Sequence, residues 1–331
     1  MQSRKRSALL TLVAGACLIG STAALSADAA KSYPTRPIRF IIGQTPGSSI
    51  DTMSRVVATK LSDLLGQQLV VDNRTGAGGT IAGSIVAHAE PDGYTIFSAA
   101  VASQVIGPQL YKKLTNYDVF RDFTPISQFA VTQNVLVVNP KTPYKSVKDL
   151  LSYAKANPGK VNWGNAGTGF QSHLAGVLFT HMAKIEVLHV PYKGAGPLST
   201  AILSGESQVT LGPAPAWMTH AQAGRVRVLA MGGVKRSALW PDLPTIQESG
   251  LPGYKSDGWA GLMGPKNLPK PLVEKLRATL IKALNDPTTS ENMKKVGAEP
   301  VTSTPAEFAN LIKSDWNTFG EAIRVAKLKT D

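Results

Sequence analysis

The stretch Ile38-Arg39-Phe40-Ile41-Ile42 runs straight into Gly43-Gln44-Thr45-Pro46-Gly47-Ser48-Ser49-Ile50-Asp51, and the pattern returns downstream. There Val161-Asn162-Trp163 is followed by Gly164-Asn165-Ala166-Gly167-Thr168-Gly169-Phe170-Gln171-Ser172-His173. Each is a short apolar strand, a glycine- and hydroxyl-rich turn, and the start of a helix. A helix N-terminus leaves several backbone N–H groups unpaired and carries a partial positive charge. Small residues let an anion approach those donors, and Ser or Thr hydroxyls add further hydrogen bonds. One such turn is ordinary punctuation. Two of them far apart in an exported chain suggest a carboxylate or phosphate held between two lobes.

Outward from these turns, short apolar runs alternate with amphipathic segments. Strands are expected at 38–42, 68–72, 94–98, 135–138, 161–163, 187–190, 208–211 and 226–231. Helices are expected at 50–65, 81–89, 147–156, 171–183, 197–204, 216–223, 271–285 and 305–326. This alternation predicts α/β layers around parallel sheets. Thr304-Pro305-Ala306-Glu307 combines an N-cap, a proline at the first helical position and a capping-box glutamate. The stripe Phe308, Leu311, Ile312, Trp316, Phe319 and Ile323 behind it reads as core. Two segments read as crossings between lobes: Phe123 to Ala130, and Leu243-Pro244-Thr245 through Gly258-Trp259-Ala260-Gly261. Lobe 1 is then 30–130 with 247–331, lobe 2 is 131–246, and a cleft lies at the two-segment hinge.

The N-terminus has the layout of a secretory signal, 1–29. Arg4-Lys5-Arg6 precede an apolar stretch from Ala8 to Leu25, and Ala27-Asp28-Ala29 suits cleavage before Ala30. A membrane anchor is the poorer reading, because the stretch is rich in Ala, Gly, Ser and Thr. Cys17 is the only cysteine. Lipid attachment there is disfavoured, since Ala14 stands three residues before it where a Leu is usual. Cleavage at Ala29 leaves a mature chain without thiols or disulfides.

The chain has 331 residues and a formal charge of +13, with Lys and Arg scattered singly. Such an excess steers anionic ligands, but no dense basic run with interleaved aromatics points to nucleic acid. The five histidines show no metal-ligand spacing, and no nucleophile elbow or phosphate-binding Lys-Ser/Thr motif occurs. No catalytic residue, metal or cofactor is therefore expected.

An ordered series of motifs carries a family resemblance along essentially the whole mature chain. They are Tyr33-Pro34-Thr35-Arg36-Pro37-Ile38, Val71-Asp72-Asn73-Arg74-Thr75-Gly76-Ala77-Gly78-Gly79, Pro91-Asp92-Gly93-Tyr94-Thr95, Pro191-Tyr192-Lys193-Gly194, Leu243-Pro244-Thr245 and Gly258-Trp259. The chain resembles the Bug-type periplasmic receptors of tripartite tricarboxylate transporters. That resemblance implies a type II-like, two-lobe periplasmic binding protein fold that closes on a small organic acid. It also implies a monomer that delivers its cargo to a permease with a large and a small integral-membrane subunit. The alternative partner is a membrane signalling protein to which the bound acid is presented.

The resemblance places one carboxylate of the ligand on backbone amides of the two quoted loops. The expected binding residues are Thr45, Gly47, Ser48 and Ser49 in the first lobe, with Asp51 a helix-start residue. Gly79 and Thr80 open a further helix and are read as packing or as ligand contacts. In the second lobe they are Ala166, Thr168, Gly169, Ser172 and His173, the last being either a donor or a local cap. Lys193 is read as an anion partner or a surface lysine. Trp163, Trp217 and Trp259 offer rings for stacking or for the core. Two departures from the family pattern stand out: Gly43-Gln44-Thr45-Pro46-Gly47-Ser48 in the first loop, and Gly212-Pro213 where relatives often have Asp-Asn. With Pro213 and Ala214 lining the site, the second departure is expected to leave room for an aromatic or extended carboxylate.

Overall fold

A computed structural model describes residues 32–328. The expected signal segment, its cleavage site and Cys17 fall outside the described residues. In chain order the elements begin with β1 (Ile38–Ile42), α1 (Ser49–Leu65), β2 (Leu69–Asn73), α2 (Thr80–Ala87) and β3 (Thr95–Ala100). A π-helical turn (Ala102–Ile106) runs into α3 (Gly107–Leu110), then β4 (Phe123–Thr132). The middle of the chain comprises β5 (Asn134–Val138), α4 (Val147–Ala156), β6 (Asn162–Asn165), α5 (Gln171–Ala183), β7 (Leu188–Pro191), α6 (Ala195–Ser204), β8 (Val209–Pro213), α7 (Pro215–Gln222) and β9 (Arg227–Met231). It closes with β10 (Gly258–Pro265), α8 (Lys270–Asn285), α9 (Pro287–Lys295), β11 (Glu299–Pro300) and α10 (Pro305–Val325).

These strands form two sheets, one of six strands in the order β11-β4-β10-β3-β1-β2 and one of five in the order β7-β6-β8-β5-β9. In the first sheet β1 runs parallel to β2 and β3, and in the second β6 runs parallel to β7 and β8. Open sheets of this kind bind ligands outside the carboxyl ends of their parallel strands. Both loops quoted above leave those ends.

The sheets are mixed rather than parallel, because β10 lies antiparallel between β3 and β4, and β5 lies antiparallel to β8 and β9. The segments expected to be simple crossings therefore contain the strands β4 and β10. β10 was hidden by its composition: Gly-Trp-Ala-Gly-Leu-Met-Gly-Pro shows no alternation because it is buried throughout. The Phe308 ring lies directly against Gly261, where any side chain would collide. Small residues there let α10 pack down onto the sheet.

The helices obey local rules. Ser48 caps α1 by accepting from the Asp51 N–H, and Gly66 ends it at φ 68°. Met53, Val57, Ala58 and Leu61 form its buried face. The Thr304–Glu307 capping box starts α10, whose Phe308, Ile312, Phe319 and Ile323 are buried. Asp315, on the same stripe, is buried as well; its carboxylate meets Lys255 Nζ at 2.5 Å and accepts from Trp259 Nε1 at 2.7 Å. α10 packs against β4 of the first sheet and α5 of the second, so one helix ties both sheets together.

The chain passes from the first sheet to the second at Gln133 and returns through Ser256 and Asp257. Asn134 pairs with Pro213 at the end of β8, and Ala260 pairs with Ala100 at the end of β3. Both crossings thus sit beside the carboxyl edges of the two sheets. Ile246 to Tyr254 packs with the second sheet: Tyr254 Oη donates to the Ala175 carbonyl of α5 at 2.9 Å.

Candidate functional site

Three loops converge at the carboxyl edge of the first sheet. A methyl on Gly43, after β1, would stand 3.1 Å from Gly79 Cα, and one on Gly79 would stand 2.6 Å from Ser103 Cβ. Gly79 also has φ 97°, so only glycine joins the β2 loop to α2 this closely. Thr80 follows, fully buried, with its Oγ1 unpartnered among the described residues. Gln44 on the first loop and Gln104 in the π-turn each have a buried amide with no partner for nitrogen or oxygen. A buried polar group without a partner costs free energy, and π-turns concentrate at functional positions. Gln44 and Gln104 were missed by sequence reasoning, Gln104 because its segment fits neither helical nor strand periodicity.

The first loop spends two of its expected donors on itself. Gly47 N–H donates to Asp51 Oδ2 at 2.8 Å, and Ser48 N–H donates to the Thr45 carbonyl at 3.1 Å. Burial opposes ionisation of Asp51. Hydrogen bonds from Arg55, Gly47 and Asn73 outweigh it and hold the carboxyl below its ordinary range. Gly47 and Ser48 therefore shape the loop, while Thr45 and Ser49 stay exposed with side chains that make no hydrogen bond among the described residues.

In the second loop three N–H groups are likewise internal. Ala166 donates to Ser172 Oγ (3.1 Å), Gly167 to Asn165 Oδ1 (3.0 Å) and Gly169 to His173 Nδ1 (3.1 Å). Ser172 and His173 are thus local caps. Burial depresses the His173 pKa, and burial together with His173 depresses that of His189 to about 4, so the pair is neutral at pH 7. Thr168 is exposed, its N–H has no partner among the described residues, and α5 begins without a side-chain cap. Asn165, fully buried, keeps an unpartnered Nδ2.

The structure departs from expectation at the end of β8. Ala214 is fully buried and its N–H is taken by the Gln133 carbonyl at 2.8 Å. A methyl on Gly212 would already stand 3.3 Å from Trp217 Nε1, so the indole fills the space expected to be open. Pro213 is exposed beside it, and Lys193, at the end of β7, is exposed with no ion pair among the described residues. Trp163, Trp217 and Trp259 are all in the core. Seen along both edges, the groups free to meet a ligand are uncharged amides, hydroxyls and backbone N–H groups, with Lys193 the flanking cation. Such donors can satisfy carboxylate oxygens, while the chain's positive charge favours the anion's approach.

Two mixed α/β sheets with glycine-rich loops at their carboxyl edges have the two-lobe architecture of solute-binding proteins. Residues 53–328 match the model of the Tripartite tricarboxylate transporter family receptor, and the chain belongs to that family. It is 35% identical over 313 residues to Protein BugT of Bordetella pertussis, covering 94% of this chain and 95% of that protein. The solved structure of R. palustris Rpa4515 with adipate is 32% identical with a TM-score of 0.75, covering 90% of this chain and 99% of that one. MatC from Rhodopseudomonas palustris with bound malate is 27% identical with a TM-score of 0.71, covering 88% and 100%. The family's members are periplasmic solute receptors, not enzymes. No described helix is long and apolar enough to cross a membrane.

Proposed function

We propose that this chain captures a small organic carboxylate between the carboxyl edges of its two sheets and hands it to a permease of one large and one small integral-membrane subunit. The chain works in the periplasm as a monomer, after loss of residues 1–29. The observation that carries this reading is the set of buried or loop-borne neutral donors, Gln44, Thr80, Gln104, Asn165 and the Thr168 N–H, on loops at the carboxyl edges of the two sheets. The adipate and malate in the two related structures support a dicarboxylate-sized cargo. Thr45, Ser49, Gly79, Thr80, Thr168, Gly169 and Lys193 contact the ligand or its water shell, and Gly47, Ser48, Ala166, Ser172 and His173 hold the loops in shape. Lobe 2 runs from Gln133 to Ser256, and the rest of the mature chain forms lobe 1.

A thermal-unfolding screen over mono-, di- and tricarboxylates tests the reading. A true cargo at about 100 times its dissociation constant stabilises the protein by about 2.7 kcal/mol, a rise of several degrees. No shift with any acid, against a clear shift with a cationic or uncharged solute, would overturn it.

A further inference from the structure

Two exposed apolar side chains stand where the binding loops meet their helices. Ile81 in the first turn of α2 is 47% exposed, and Phe170, which precedes α5, is 60% exposed. Side chains at a helix start lean back over the preceding loop, because each Cα–Cβ bond tilts toward the N-terminus. Both do so here. A methyl on Gly76 would stand 2.6 Å from Ile81 Cδ1, and one on Gly167 would stand 3.0 Å from Phe170 Cδ2. Gly169, next to Phe170, looks across to lobe 1, since its methyl would meet Leu110 Cδ1 at 3.1 Å. Phe170 is thus one residue along the chain from a contact between the second-lobe loop and α3, with its ring over Gly167 of the same loop. The Tyr192 carbonyl, one residue before Lys193, also adjoins Gly167.

We propose that Phe170, assisted by Ile81, determines specificity by packing on the carbon body of the cargo, which is a carboxylate with a contiguous apolar body rather than a hydroxylated polyacid. This rests on the carboxylate-receptor reading above. The acid head meets the neutral donors and Lys193, and the apolar body covers the ring. Large apolar side chains left in water gain on covering, at about 25 cal/mol per Å². A polyacid would place charged or hydroxyl groups against the phenyl face, where they lose water without gaining a partner.

Calorimetry on the whole protein with adipate, benzoate and citrate tests this, comparing the parent with Phe170→Ser and Phe170→Leu. Serine is a good N-cap, so Phe170→Ser keeps α5 intact, and the unfolding temperature of the free variant checks that. Phe170→Ser is expected to weaken the preferred apolar acid about tenfold, the effect of losing roughly 55 Å² of apolar contact, and citrate less than twofold. Phe170→Leu should recover most of the loss. The adipate and benzoate arms tell a chain from a ring. Equal weakening of all acids, no weakening, or a parent that prefers citrate overturns the specificity role alone. A parent that binds no carboxylate overturns the receptor reading and this inference with it.

Discussion

Replacing Asp257 with Asn should stabilise the protein, and increasingly so as pH rises. Asp257 lies on the return crossing between the sheets, and its Oδ1 is buried with no partner. Its Oδ2 and Gln133 Oε1 both crowd Gly233, at 2.8 and 2.6 Å from where a methyl would stand, so two acceptors converge at the hinge. Burial is the main force raising its pKa; Asp315 and Glu299 add to it, while Lys255 and the Asn134 N–H oppose it, leaving a value of about 7 against 3.8. The folded state thus binds this proton more tightly than the unfolded chain. Stability from this group is fullest below pH 3.8, is lost as pH rises toward 7, and is level above. Three units at about 1.4 kcal/mol each make about 4 kcal/mol, which the group's partial exposure trims to about 2–4. Asn mimics the neutral acid at all pH values. Urea unfolding of parent and variant at pH 5, 6, 7 and 8 should show a gap that opens from pH 5 to about 7 and then levels off, with other groups cancelling in the difference. A gap independent of pH, or a parent more stable than the variant at pH 8, would refute the argument.

Three further outcomes follow from the same contacts. Asp315→Ala strands Lys255 and the Trp259 N–H in the interior and should cost about 3–5 kcal/mol by denaturant unfolding; Asp315→Asn should cost less, because it still accepts from the indole. Ser172→Ala removes the acceptor for the Ala166 N–H, so a loss of about 1 kcal/mol in stability is expected, together with weaker cargo binding by calorimetry. Gly261→Val forces a side chain into the Phe308 ring, and thermal unfolding should register a loss of about 3 kcal/mol or more.

How far the sequence reveals this molecule depends on whether each feature is a local or a distant matter. The parallel cores around β1 and β6, and every long helix, announce themselves through periodicity and signals such as the Thr304 capping box. β10 does not, because its residues are chosen for α10, far along the chain: Gly261 is small to admit Phe308, and Trp259 is placed to reach Asp315. The same distinction governs the site. The loops read as anion cradles in the sequence, but which of their N–H groups stay free does not show there. That depends on small local contests, Asp51 claiming Gly47 and His173 claiming Gly169, which composition cannot rank. Gly212 is the sharpest case. As sequence, a lost aspartate beside a proline means space, but the fold swings Trp217 into that space. Gln44 and Gln104 keep amides with no partner among the described residues, and Asn165 keeps an unpartnered Nδ2. Composition does not show this either, because whether an amide is left over depends on which neighbours the fold brings to it: Asn165 Oδ1 is claimed by the Gly167 N–H while its Nδ2 is left.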